Sequence, residues 1–158
     1  MPLMTNAKSA KNDEYETPRS AWESIEQYLP KDKVIWEPFM ASGLSGEILR
    51  SLGCEVIHQR EDFFENDRGD VVVTNPPFSK KKEVLKRLKE LDKPFILLLP
   101  SSVLGTKMIS DWFPDIQIII PKGRISYLVN GTQTNGVWFA SFFYCWKMQL
   151  PKDIIFLD

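Results

Sequence analysis

Asp70-Val71-Val72-Val73-Thr74-Asn75-Pro76-Pro77-Phe78 decides the fold of this chain. Three valines and a threonine make a β-branched, apolar run of the kind that fills a fully buried central strand. Pro76 has no N–H to give to a neighbour, so the ladder stops there. Asn75, as the residue before a proline, is held extended. The outcome is a rigid corner at the carboxyl end of a strand, which in open α/β sheets is the edge where ligands bind. The Asn75 side-chain oxygen and the Pro76 carbonyl can both accept hydrogen bonds from a planar amino group. Pro77 stiffens the corner, and Phe78 brings a ring able to stack on the group that carries the amine.

Outward from this stretch, apolar strands alternate with amphipathic helices. Towards the N-terminus, Lys33–Trp36 and Glu55–His58 read as strands. A turn, Glu37-Pro38-Phe39-Met40-Ala41-Ser42-Gly43, leads from the first into a helix that turns Leu44, Ile48, Leu49 and Leu52 inward, with Gly53 just past its end. Before them, Thr17-Pro18 reads as N-cap and first helical residue of a helix burying Ala21, Trp22, Ile25, Tyr28 and Leu29. Towards the C-terminus, Ser79 caps a helix over 80–91. Phe95–Leu99 and Ile116–Ile120 are strands, with a short helix over 103–113 between them. Val137–Trp146 is a last β-prone run after a polar loop over 130–136. This alternation predicts an α/β fold: a Rossmann-like, doubly wound, mostly parallel sheet of about seven strands, closed by an antiparallel hairpin.

With 158 residues and 43% hydrophobic content, the chain reads as one domain over 14–158 behind a flexible arm over 1–13. A formal net charge of −1 excludes a globally basic nucleic-acid binder, so any such contact needs a local patch. Cys54 and Cys145 sit in or beside apolar runs and read as buried free thiols, which suits a reducing compartment. One His and two distant Cys give no metal-site spacing, and no apolar run reaches the roughly 18 residues of a membrane span.

Asn75-Pro76-Pro77-Phe78 resembles motif IV, (D/N/S)-P-P-(Y/F/W), of the amino-methyltransferases that use S-adenosyl-L-methionine. Glu37-Pro38-Phe39 and Gly43 resemble their motif I, (D/E)-P-F-x-G-x-G, although Ala41 and Ser42 stand where a glycine is usual. Tyr15-Glu16-Thr17-Pro18 is similar to an element of phage-type DNA adenine methyltransferases, and Asp62-Phe63-Phe64 to their D-F-F segment. Gly123-Arg124-Ile125-Ser126-Tyr127 resembles the segment before their target-side loop. The order of motifs is that of the gamma group.

The resemblance implies a class I methyltransferase fold and methyl transfer to the N6 amino group of adenine in DNA. It implies cofactor contacts from Tyr15, Thr17, Pro18, Glu37, Pro38, Phe39, Ser42, Gly43, Asp62, Phe63 and Asn75. It leaves the ribose ligand open, because Gln59, Arg60 and Glu61 replace the usual acid after the second strand. Catalysis falls to Asn75, Pro76, Pro77 and Phe78, acting on a flipped-out base that Trp138 covers from the other side. Lys82, Lys86, Lys89 and Arg124 are the expected nucleic-acid contacts. No stretch has the length of a separate target-recognition domain, so recognition falls to loops, to a homodimer or to a helper protein. The expected location is the cytoplasm, or a host-cell interior for a phage- or virus-encoded chain. N-methylation of RNA adenine or of a glutamine amide, and a non-catalytic partner subunit of the same fold, are the alternatives.

Overall fold

The computed structural model describes residues 15–133 and 137–158. The arm expected over 1–13 and the loop tip at 134–136 lie outside the described residues.

The valine run is strand β3 (Val71–Thr74), and all four of its residues are buried. It lies between β1 (Val34–Trp36) and β4 (Phe95–Pro100), parallel to both. β2 (Glu55–Ile57) pairs with the far side of β1. The chain therefore winds from β1 to β2 in one direction and from β3 to β4 in the other. Right-handed crossovers in opposite directions put the two connecting helices on opposite faces of the sheet. These are α2 (Leu44–Ser51) and α3 (Lys81–Leu91), and a short α1 (Arg19–Ser24) precedes them. The doubly wound Rossmann-like architecture expected from the sequence is the one present.

The remaining strands are β5 (Ile116–Ile120), β6 (Leu128–Val129), β7 (Thr132–Gln133), β8 (Ser141–Trp146) and β9 (Ile154–Phe156). The main sheet has seven strands in the order β2-β1-β3-β4-β8-β5-β9. β8 alone runs against the others, and it is inserted between β4 and β5 rather than added at an edge. Its six residues pair along the whole of β4, from Ser141 opposite Pro100 to Trp146 opposite Phe95. β6 and β7 form a separate two-stranded antiparallel hairpin.

Several local expectations are corrected. Thr17 does not cap: the N-cap of α1 is Pro18, and the helix gives way after Ser24 to a 3-10 turn at Glu26–Tyr28. A 3-10 turn at Phe78–Lys80 precedes α3, which begins at Lys81. The helix expected over 103–113 is a 3-10 segment, Ser101–Gly105, followed by the four-residue α4 (Lys107–Ser110). The β-prone run expected from Val137 is a strand, β8, only from Ser141. β9 was not foreseen, because a three-residue strand exposed on one face shows almost no periodicity.

The core runs along both faces of the central strands, with Trp22, Trp36, Phe95 and Phe143 fully enclosed. Cys54 and Cys145 are both buried and free. Among the described residues, no helix is long and apolar enough to cross a membrane, and no cluster of His, Cys, Asp or Glu could hold a metal ion.

Candidate active site

The winding reverses between β1 and β3, and the crevice outside their carboxyl ends is where a fold of this kind binds ligands. Three segments meet there. After β1 the chain turns through Glu37-Pro38-Phe39. Glu37 is only 2% exposed, and its Oε1 accepts hydrogen bonds from the Thr74 hydroxyl (2.6 Å) and the Phe39 N–H (2.9 Å). Thr74 is the last residue of β3, so this carboxyl joins the two strand ends. On the backbone side, His58 Nδ1–H donates to the Glu37 carbonyl at 2.7 Å. Burial pushes the Glu37 carboxyl up to about 8, against the two hydrogen bonds, which pull it down.

The turn then enters α2 through two left-handed residues, Ala41 at φ 44° and Gly43 at φ 90°. The retained glycine occupies the more extreme of the two. Ala41 takes a conformation that glycine adopts more easily, consistent with a glycine being usual at this part of the resembled motif.

The second segment is Tyr15-Glu16-Thr17. Glu16 forms an antiparallel bridge with Leu128, and the Ser42 hydroxyl donates to its Oε2. The Tyr15 ring stacks on Tyr127, with centroids 5.5 Å apart. The third segment is the corner Asn75-Pro76-Pro77. Asn75 Nδ2 reaches the Tyr15 carbonyl at a long 3.5 Å. Its Oδ1 is buried and has no hydrogen-bond partner, and the same holds for the hydroxyl of Thr17.

Between the segments lies a cavity of about 320 Å³. Of the residues expected at the site, Tyr15, Thr17, Glu37, Pro38, Phe39, Asn75, Pro76 and Pro77 line it. Glu16, Met40, Ala41, Ser45, Arg60 and Glu61 also line it and were not singled out as contacts from the sequence. Glu61 lies on the loop after β2. It is held by Arg68 through Nε–Oε1 (3.0 Å) and a second bond from Nη2 to Oε2 (3.1 Å). That pairing keeps its carboxyl below the usual range.

Other expected residues are elsewhere. Pro18, Ser42 and Gly43 support the lining without belonging to it. Asp62 caps its own turn, with Oδ1 accepting the Phe64 N–H at 2.9 Å. Phe63 is buried against Trp36 and Phe39, both with centroids at 5.3 Å. Neither Asp62 nor Phe63, both expected as cofactor contacts, is among the residues that line the cavity. Phe78 is 3% exposed and packs edge-on to Phe139 (5.5 Å) and Tyr127 (6.1 Å), so in this arrangement it braces the corner from behind instead of facing the cavity. Trp138 is half-exposed, edge-on to Phe139 and outside the lining. Arg124 donates to the Val137 carbonyl at 3.0 Å.

Lys82, Lys86 and Lys89 lie along one side of α3, as their spacing dictates, and rim a groove floored by Leu85, Met108 and Trp112. Lys89 is partly committed: its ammonium sits 4.5 Å from the centroid of Trp112 and donates to the Asp111 carbonyl.

No family model matches the sequence, and no curated protein matches it. Among solved structures, the chain is similar to a predicted O-methyltransferase, protein Atu636 from Agrobacterium tumefaciens. The identity is 12% and the TM-score 0.42, over 89% of this chain and 74% of that one.

Proposed function

We propose that the chain transfers a methyl group from S-adenosyl-L-methionine to the exocyclic N6 amino group of adenine in DNA. The observation that carries this reading is the buried, unpartnered Oδ1 of Asn75 beside the cavity at the switch point. A buried acceptor without a partner costs on the order of 1–3 kcal/mol. A ligand that brings an N–H to it removes that cost. An acceptor suits an amine, because it holds the amine hydrogens while the nitrogen lone pair turns towards the carbon it attacks.

The residues present fit the cofactor. The Thr17 hydroxyl is a second orphaned polar group beside the same cavity. The buried Glu37 carboxyl fixes the two strand ends that wall the cavity, and the Glu61 carboxylate offers acceptors to ribose hydroxyls. When bound, S-adenosyl-L-methionine supplies a methyl group already activated by its sulfonium. No strong base is needed at Asn75, since the proton can leave the nitrogen after attack. The chain's task is alignment, and the proline-locked corner provides it. In duplex DNA the base must first leave the stack. RNA adenine and a glutamine amide present the same planar amine; the lysine-rimmed groove of α3 favours a nucleic acid, DNA or RNA, over a peptide.

Asn75→Ala tests the reading. The lost acceptor matters mainly in the transition state, so turnover should fall by roughly 10²-fold or more while cofactor affinity stays within a few-fold. Labelled methyl transfer to DNA, RNA and peptide substrates, alongside calorimetric titration of the cofactor, measures both. Wild-type turnover in the variant would sink the assignment.

A further inference from the structure

The Glu37 carboxyl is buried in the cavity wall without a counter-charge. Both donors that reach it, the Thr74 hydroxyl and the Phe39 N–H, bind the same oxygen, Oε1. Among the described residues, no donor reaches Oε2 and no cation forms an ion pair with the carboxyl. The charged and titratable groups around it come from three directions. His58, at the end of β2, is bonded to the Glu37 carbonyl and not to its carboxyl. Glu16 lines the cavity from the N-terminal segment and accepts the Ser42 hydroxyl. Arg60 and Glu61 line it from the loop after β2, and Glu61 is paired with Arg68. The end of β3 and the start of α2 contribute Thr74, Asn75 and Ser45, none of which titrates. A buried carboxyl without a cation is easier to keep neutral than charged, so Glu37 holds a proton in the free protein at pH 7.

We propose that Glu37 is the residue by which the cavity tells the methyl donor from its demethylated product: its carboxyl gives its proton to solvent when a sulfonium enters, and keeps that proton when the ligand is the uncharged thioether. The inference rests on the cofactor reading above. S-adenosyl-L-methionine and S-adenosylhomocysteine share their ribose, adenine and amino-acid end. They differ by one methyl group and by the positive charge on sulfur. With the amine at Asn75, the methyl it attacks lies about 3–3.5 Å from the nitrogen, and the sulfur is one bond beyond. Glu37 is bonded to Thr74, the chain neighbour of Asn75. The charge that separates the two ligands therefore arrives beside the wall that Glu37 builds. In surroundings shielded from water, a carboxylate and a cation attract far more strongly than in bulk solvent. That attraction offsets the loss of the proton for the donor, and the product has nothing to offset it with. By linkage, a ligand that displaces a proton binds more tightly as pH rises, and one that displaces none does not.

Titration calorimetry of the full chain at pH 7, repeated in phosphate and in Tris, counts the protons exchanged on binding, because the two buffers differ in ionisation heat. S-adenosyl-L-methionine should release about one proton and S-adenosylhomocysteine none. Between about pH 5.5 and pH 7.5, affinity for the methyl donor should rise by about tenfold per pH unit while affinity for the product stays level. Glu37→Gln keeps an acceptor for Thr74 and Phe39 but has no acidic proton to release, so it should abolish the proton count and flatten the pH series. Binding of both ligands with equal proton counts overturns the inference and leaves the cofactor reading standing. Failure of both ligands to bind overturns the cofactor reading and the inference with it. The wild-type counts decide between these outcomes even if the Gln variant does not fold. A folded Gln variant that still releases the wild-type proton overturns the assignment to Glu37.

Discussion

Glu37 ties together fold and chemistry at the level of one carboxyl. Its ordinary value is 4.5, and burial raises it to about 8 in the folded chain. Between those two values the folded state keeps a proton that the unfolded state has released. The stability this group contributes is therefore fully present below about pH 4.5. It falls as pH rises towards 8, with a limiting slope of roughly 1.4 kcal/mol per pH unit. Glu37→Gln keeps an Oε1 acceptor for Thr74 and Phe39 but cannot ionise. Urea unfolding between about pH 5 and pH 8 should show the Gln variant losing less stability than the wild type as pH rises. Equal slopes would mean that the buried carboxyl does not titrate as its surroundings demand. Ala41 makes a second residue-scale case. A non-glycine residue in the left-handed region costs about 1–2 kcal/mol, and glycine's extra freedom in the unfolded chain returns part of that. Ala41→Gly should raise stability by roughly 0.5–1 kcal/mol, read from the midpoint of the same unfolding curves. At this scale the sequence was informative where backbone chemistry is compulsory, as at Asn75-Pro76-Pro77 and Gly43. It left the matter open where a side chain had two good options. Phe78 and Phe63 are aromatic next to a candidate site, and local sequence cannot say whether such a ring turns to the cavity or to the core.

The elements were read correctly wherever burial enforces a period. β3, β4, β5 and α3 fall within a residue or two of their expected spans. Short elements and capping were read less well, because tertiary contacts decide them: Thr17 is withheld from the helix it precedes and committed to the cavity. α2 shows how packing overrides propensity. Gly46 lies inside this helix, and replacing glycine by alanine there should gain up to about 1 kcal/mol from propensity alone. A Cβ at that position, however, would lie 2.2 Å from Cδ2 of the His58 ring. The ring is fixed by its bond to the Glu37 carbonyl. Overpacking of this kind costs about 1–3 kcal/mol, so Gly46→Ala should be net destabilising, and thermal unfolding should show a lower midpoint. α3 invites a test of a different kind. Each lysine that neutralises a phosphate contributes about one unit to the log–log salt dependence of DNA affinity. Lys82→Ala and Lys86→Ala should each lower that slope. Lys89→Ala should lower it less, since its ammonium is already held over Trp112 and by Asp111. Affinity titrations over a salt series separate these outcomes, and unchanged slopes in all three would move the nucleic-acid surface off α3.

Across the whole molecule, the winding reversal was legible because each crossover needed its own buried strand and amphipathic helix. The insertion of β8 between β4 and β5 was not, since sequence order says nothing about which sheet position a late strand takes. The cavity belongs to this scale too, because its walls come from four separated stretches: 15–17, 37–45, 60–61 and 75–77. A ligand that bridges them should stabilise the entire fold. At about 100 times its dissociation constant, S-adenosylhomocysteine would add roughly 2.7 kcal/mol. For a chain of this size that is a rise of roughly 5–10 °C in the unfolding midpoint. Thr17 supplies the control that distinguishes bridging from nonspecific stabilisation. Its hydroxyl is buried and unpartnered, so Thr17→Val removes an uncompensated polar group from the free protein and should raise its midpoint by an amount worth about 1 kcal/mol. The same change removes a group that the ligand would satisfy, so the ligand-induced shift should shrink. Opposite signs in one variant follow only if that hydroxyl is kept for a ligand. A Thr17→Val protein that is destabilised when free, or that keeps the full ligand shift, would show that the hydroxyl serves the fold and that the ligand lies elsewhere.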